Sequence, residues 1–286
     1  MAESTKPAIE VDVQATDNDS IYGHQLSTYS ASLTSSVLDY RHENGRRYHA
    51  YRDGSYLLPN DEREADHLDM GHELTLTIME RKLFFAPIQS PQRVIDLGTG
   101  TGIWAIHFAD QHPSAEVIGV DLSPIQPSMV PPNSKFLVDD IESEWTYTNP
   151  GGWVEFQDWD MLLRSEDGTT KGTAIEKYYQ TIIPAFEKAG YPTRPGPPFE
   201  EWFREPGFVN IQVHKYRVPI GVWPKEPRYK NLGTWVLLQA EQGFEGAAMA
   251  VLTRFESWSP DEVRVLAAAA LDGLFDFYVV YGQKPE

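Results

Sequence analysis

The chain has no cysteine among its 286 residues. That absence removes disulfides, thiolate metal sites and cysteine nucleophiles together, and it leaves the redox compartment unreadable from composition. Basic residues are scarce: 24 Lys and Arg against 42 Asp and Glu give a formal net charge of −18. A surface that negative disfavours phosphate backbones and anionic bilayers, so neither nucleic acid nor a membrane is an expected partner. A small neutral or cationic ligand remains compatible. No run of ~18 apolar residues occurs, so no membrane span is expected. The opening MAESTKPAIEVDVQATDNDS has neither the positive start and apolar run of a secretory signal nor the Arg richness of a transit peptide. Cytoplasm or nucleus is the expected location, with no choice between them. What the chain does have is material for a core. An apolar share of 41%, with 8 Trp, 14 Tyr and 13 Phe, excludes full disorder, collagen and low-complexity classes.

The pattern along the chain divides it into three parts. Residues 1–20 read as a flexible polar tail, 21–92 as a helical or lid-like extension, and 93–286 as an α/β domain with a helical insertion at about 226–271. In the extension, Asn60-Asp61 caps a helix expected to reach about Phe85. The domain then starts with a short apolar strand, Arg93 to Leu97, followed by a glycine turn and a helix from Ile103 that stops near Pro113. A second strand ends at Asp121, and a Pro-rich loop leads to a third, Lys135 to Val138, that ends at Asp139-Asp140. Another strand is expected at Trp153 to Asp158 after the Asn149-Pro150-Gly151-Gly152 turn. Beyond it, helices are expected at about 172–189, 199–205, 226–242, 244–257 and 260–271, with strands at 209–216 and 275–281. Strands alternating with helices argue for a parallel sheet covered on both faces.

The strongest chemical signal is VIDLGTGTGIWA. A strand enters a glycine loop and a helix leaves it. Glycines allow a sharp turn and close approach of a ligand to the main chain, and a helix N-terminus presents free N–H groups to an anion. A dinucleotide fingerprint, G-x-G-x-x-G, would put its third glycine where Ile103 stands. Gly98, Gly100 and Gly102, with Asp96 two residues upstream, instead resemble motif I of S-adenosylmethionine-dependent methyltransferases. Asp121, at the end of the second strand, can accept two hydrogen bonds from a ribose diol. Asp139-Asp140 ends the third strand, where methyltransferases place an acid beside the adenine amino group, and Asp140 fits that register better. An acidic pocket suits a sulfonium better than a diphosphate.

The likeness narrows further. The stretches RHENGRRYHAYRDGSYLLPNDEREADHLD, VIDLGTGTGIWAIHFADQHPSAEVIGVDLSPIQP, FLVDDIESEWTY, PGGWVEFQD and FDFYVVYGQKPE resemble the fungal LaeA-like methyltransferases, from about residue 37 to the C-terminus. The resemblance implies a Rossmann-like class I methyltransferase sheet with helices on both faces, and S-adenosyl-L-methionine as cofactor. It also implies a role in secondary metabolism, either as an enzyme modifying a small molecule or as a regulator acting through a protein partner. The chain departs from the family in two places, the smaller a shorter stretch between Ala270 and Phe275, where the family carries a longer helix and loop. Only Thr146 to Asn149 separate Trp145 from Pro150, where the family carries a further central strand and helix. A faulty gene model, a true variant whose sheet closes differently, and a degenerate protein without catalysis all remain open. Tyr48 and Tyr51 are candidates to cover the sulfonium with their ring faces. His49 is a weak candidate general base, with a hydrogen-bonded lid or packing role the favoured reading, and Arg46 and Arg47 could bind a carboxylate but are read by default as a solvated face. The eight histidines show no metal-ligand spacing, so no metal is expected.

Overall fold

The computed structural model describes residues 38–142, 150–165, 168–269 and 273–285. The expected tail at 1–20 and the junction from Trp145 to Asn149 lie outside the described residues. The described part of the extension carries a hairpin: β1 (Arg41–Glu43) pairs antiparallel with β2 (Arg46–Tyr48), with Glu43 opposite Arg46. Asn44 and Gly45, the two turn residues, both have positive φ, 52° and 80°. An Asn-Gly pair in that conformation sets the twist that closes a two-residue hairpin. The helix α1 (Glu62–Ile78) follows, its first turn capped by the Asp61 carboxylate, which accepts the Glu64 amide at 3.0 Å. It ends well short of Phe85, because Glu80 and Arg81 take left-handed conformations that no helix tolerates.

The glycine-turn region builds as expected. The strands β3 (Arg93–Leu97), β4 (Glu116–Asp121) and β5 (Ser134–Val138) form a parallel sheet in the order β3-β4-β5, with α2 (Ile103–Gln111) crossing from β3 to β4. Ala105, Phe108 and Ala109 of α2 bury against Val117 of β4 and against Leu76 and Leu83.

The remaining elements are β6 (Trp153–Arg164), α3 (Ala174–Lys188), α4 (Phe199–Arg204), β7 (Val209–Ile220), α5 (Pro227–Phe255), α6 (Pro260–Ala268) and β8 (Gly273–Gln283). Their strands pair antiparallel in the order β6-β8-β7. The sheet expected to be parallel throughout is therefore parallel in its first half only. Among the described residues no ladder joins β3 to β6, so the short connection before Pro150 leaves two three-stranded sheets.

Two boundaries moved for reasons of packing. β6 runs past Asp158 because Asp160, which interrupts the apolar pattern, is fully buried and paired with Arg194 at 3.2 Å. The two helices expected at 226–242 and 244–257 are one, α5. Gly243 does not break it. A Cβ there would lie 2.4 Å from the His67 ring of α1, so the glycine serves the close approach of the two helices. The face of α5 that bears Leu232, Val236, Ala240, Phe244 and Val251 joins α3 and β8 in the largest core cluster.

Candidate cofactor site

The site is built where β3 turns into α2. Gly98, Gly100 and Gly102 all have positive φ, 68°, 56° and 83°, so the turn requires them. Gly102 is also the N-cap of α2 and carries no side chain to satisfy the helix's first amides. A Cβ on Gly102 would lie 2.4 Å from the Phe136 ring of β5, whereas a Cβ on Gly98 would meet open space. The turn is thus tight against the sheet on one side and bare on the other.

Carboxylates hold this turn. Asp121, at the end of β4, accepts the Gly100 amide at 2.8 Å on one oxygen and the Ser123 amide at 2.8 Å on the other. Burial raises its pKa, and the amides that it accepts pull the other way. Asp96 accepts the Thr99 hydroxyl at 2.6 Å, and burial pushes its pKa up to about 6 against that bond. Three residues missed in the sequence finish the turn. Gln126 donates to the Gly100 carbonyl at 2.6 Å, Thr101 donates to Asp69 of α1 at 2.5 Å, and Asn60 donates to Ser123 at 3.2 Å. Thr101 lies within the glycine motif itself; Gln126 and Asn60 have no motif that marks them, and only the fold brings them to the glycines.

The other expected residues divide. Asp139 accepts the Asp140 amide at 2.8 Å, and Asp140 accepts the Glu142 amide at 2.9 Å and pairs with Arg52 at 3.3 Å. Both acids therefore stand at the end of β5 as expected, with Arg52 drawn toward the pair. Tyr51, next to Arg52, is partly exposed and stays available to a ligand. Tyr48 does not: it is buried in the largest core cluster beneath the Arg254 guanidinium, 4.8 Å from its ring centroid. His49 is buried too, its ring nitrogens 2.7 Å from the Tyr51 carbonyl and 3.2 Å from that of Tyr56. Both ring nitrogens face backbone carbonyls, so His49 packs into the loop, the alternative to a general base. Arg46 is no solvated cation either; its buried guanidinium binds Asp61 at 2.6 Å and Glu64 at 3.0 Å.

A cavity of about 690 Å³ opens beside the glycine turn, bordered by β3, β6, α1 and α2. That is the size of a small-molecule site. Asp96 lines it, as do the backbone of Gly98 to Thr101, Leu68 and Trp104. A part-buried acid and a bare, glycine-built main chain beside a helix N-terminus suit the amino acid end of S-adenosylmethionine, and the strand-end acids, which stand outside the cavity lining, suit its nucleoside. Trp104 belongs to the packing, since its indole donates to the Leu83 carbonyl at 3.0 Å and stacks on Phe108. Among the described residues there is no cluster of three metal-ligating side chains.

Comparison with known proteins agrees. Residues 70–148 match a methyltransferase domain family. The chain is 37% identical over 317 aligned positions to the methyltransferase pytC of Aspergillus terreus, covering 97% of this chain and 96% of that one. It is 35% identical to the secondary metabolism regulator LAE1 of Cochliobolus heterostrophus, over 76% of this chain and 82% of the relative. It is 32% identical to the secondary metabolism regulator laeA of Monascus pilosus, over 93% and 84%. Among solved structures, phosphoethanolamine N-methyltransferase 2 of Haemonchus contortus aligns at 18% identity and a TM-score of 0.42, over 75% of this chain and 53% of that one.

The matched domain and the relative that covers nearly the whole chain define a methyltransferase. More narrowly, the chain belongs to the fungal LaeA-like methyltransferase family.

Proposed function

We propose that the protein transfers a methyl group from S-adenosylmethionine to a small-molecule acceptor in fungal secondary metabolism. The observation that carries this reading is the cavity, which brings Asp96 and the glycine turn to one wall of a space large enough for an acceptor. Asp96 and the turn amides would hold the amino acid portion of the cofactor. Asp121 and the acids at 139 and 140 would hold its nucleoside, and Tyr51 would cover one edge. When bound, the cofactor supplies a methyl group already activated by a positively charged sulfur. The chain's own contribution is then orientation and exclusion of water, which together supply much of the acceleration in such transfers. Leu68, Trp104 and Phe108 add apolar side chains to the cavity lining, which would help to exclude water.

Calorimetry tests the cofactor half: S-adenosylmethionine binds and NAD does not. Binding of NAD alone would reverse the reading. For the acceptor half, deletion of the gene leaves one unmethylated metabolite, identified by mass spectrometry.

A second reading rests on the names of the relatives at 32–35% identity, which are regulators of secondary metabolism. On that reading the protein keeps its cofactor pocket and acts through a protein partner. Deletion would then change transcripts of many biosynthetic clusters rather than the methylation of one product.

A further inference from the structure

His49 stands at the neck of a small loop. Its Nδ1 lies 2.7 Å from the Tyr51 carbonyl oxygen and its Nε2 lies 3.2 Å from that of Tyr56. Those two carbonyls flank the turn Arg52-Asp53-Gly54-Ser55, which the Ser55 amide closes on the Arg52 carbonyl at 3.0 Å. Arg52 and Gly54 both have positive φ, 55° and 91°. One imidazole thus bridges the two ends of a tight turn.

The partners decide what the ring must carry. A carbonyl oxygen only accepts hydrogen bonds, whereas a neutral imidazole has one N–H and one bare lone pair. The neutral ring therefore satisfies one carbonyl and sets its lone pair against the other. The imidazolium donates at both nitrogens. His49 is 1% exposed, so bulk water does not stand in for a missing N–H.

A buried charge needs an opposite one, and Asp121 at the end of β4 supplies it. Burial raises the Asp121 carboxyl, and His49 is among the groups that pull it back. The cations around the loop are already engaged: Arg46 of β2 by Asp61 and Glu64, Arg52 by Asp140, and Arg254 of α5 by Glu43. The Tyr56 ring stands edge-on to His49 at 6.3 Å, and its hydroxyl feels Asp121, Glu64 of α1, Asp158 of β6 and Tyr191.

The turn matters for what it carries. Tyr51 is the partly exposed ring beside it, and Arg52 pairs at 3.3 Å with Asp140, one of the acids assigned to the nucleoside. Asp53 pairs with Arg41 at 3.3 Å, and the Tyr191 hydroxyl donates to the Ser55 carbonyl at 2.6 Å. The Arg52 and Asp53 side chains are half exposed, and ion pairs of that kind hold little. Hydrogen bonds from a charged donor are roughly twice as strong as neutral ones. The buried ring at the neck is the stronger tether.

We infer that His49 is a positioning residue: as an imidazolium donating to the Tyr51 and Tyr56 carbonyls, it clamps the turn so that Tyr51 and Arg52 stay at the cofactor acids. The effect on the cofactor rests on the methyltransferase reading, while the state of the ring does not. Loss of the proton releases one carbonyl and loosens the turn, so cofactor affinity falls as pH rises through the titration of the ring.

The first test is magnetic resonance on the full, cofactor-free chain with isotope-labelled histidine nitrogens, His49 being assigned through its backbone correlations. Expected at about pH 7 are two protonated ring nitrogens. One bare nitrogen would overturn the inference. Calorimetry with S-adenosylmethionine gives the second readout. The parent should lose at least about fivefold in affinity between about pH 7 and about pH 9. His49→Gln sets an amide oxygen where one N–H stood. It should bind at least about fivefold more weakly at about pH 7, with no further loss at about pH 9. The same affinity and the same alkaline loss in both proteins would overturn the clamp, since a ring that only fills space adds no titration. Should His49→Gln not fold, the spectrum and pH profile of the parent decide. Two protonated nitrogens in a chain that binds no S-adenosylmethionine at any pH would count against the methyltransferase reading and leave the clamp standing.

Discussion

The Asp121 carboxylate at the end of β4 accepts the Gly100 amide 2.8 Å away, and that bond ties the glycine turn to the neighbouring strand. Its other oxygen accepts the Ser123 amide, so one side chain fixes both loops at the mouth of the site. Asp121→Ala leaves two part-buried amides unmatched and loosens the turn. Removing hydrogen bonds of this kind costs roughly 1–3 kcal/mol. Calorimetry should show S-adenosylmethionine binding about 10- to 100-fold weaker. Unchanged affinity would take Asp121 out of the site.

Asp96 makes a prediction in pH. Its carboxyl is pushed up to about 6 by burial, above the 3.8 of an exposed Asp. The folded protein then binds a proton that the unfolded chain has released. The stabilisation is complete below about pH 4 and is lost as pH rises through about 6. At pH 7 Asp96→Asn should therefore be more stable than the parent by about 1–3 kcal/mol. At pH 4 the two should unfold at similar denaturant concentrations. The same change should weaken cofactor binding, so stability and function move in opposite directions at this position. Equal stabilities at pH 7 would contradict the buried, charged state of Asp96.

Gly102→Ala tests the geometry of the turn. The new Cβ meets the Phe136 ring at 2.4 Å, at a φ of 83° that an alanine resists. Overpacking and backbone strain together predict a loss of about 2–4 kcal/mol. Phe136→Leu in the same chain should restore part of that loss, since it removes the clash and leaves the strain. If the double variant is no more stable than Gly102→Ala alone, the clash is not the cause.

Arg46→Met tests the buried ion group that joins the hairpin to α1. It leaves Glu64, which is buried, and Asp61 without their cation. Removing one partner of a buried pair costs about 3–5 kcal/mol. Urea denaturation should show a loss in that range. Arg46→Met with Glu64→Leu should recover most of what the stranded Glu64 charge contributes. A loss below about 1 kcal/mol would return Arg46 to the solvated role that its sequence suggested.

The legible parts of this protein are local. A strand, five residues with three glycines, and a helix occupy the same numbers in the sequence and in the fold, because φ preferences and helix caps act over a few residues. The misread parts were decided by neighbours far along the chain. Asn44-Gly45 carried a readable hairpin signal that the sequence analysis did not use. Gly243, by contrast, looked like a helix break and is a contact point with His67, which no local pattern could show. The strand expected to stop at Asp158 runs on through Asp160, whose partner Arg194 comes from the loop before α4.

By itself, the order of residues determined the glycine turn, the acids that close the strands after it, and the shortage of chain before Pro150, since each is a matter of residue type and spacing. Tertiary structure alone decided which side chains face the cofactor and which are buried: Tyr48 went to the core, His49 to its own loop carbonyls, and Gln126 and Thr101 to the turn. It alone also decided that the shortage becomes an open slot between β3 and β6. A strand's side-chain pattern is written along the chain. Whether its edge is paired depends on which strand comes to lie beside it.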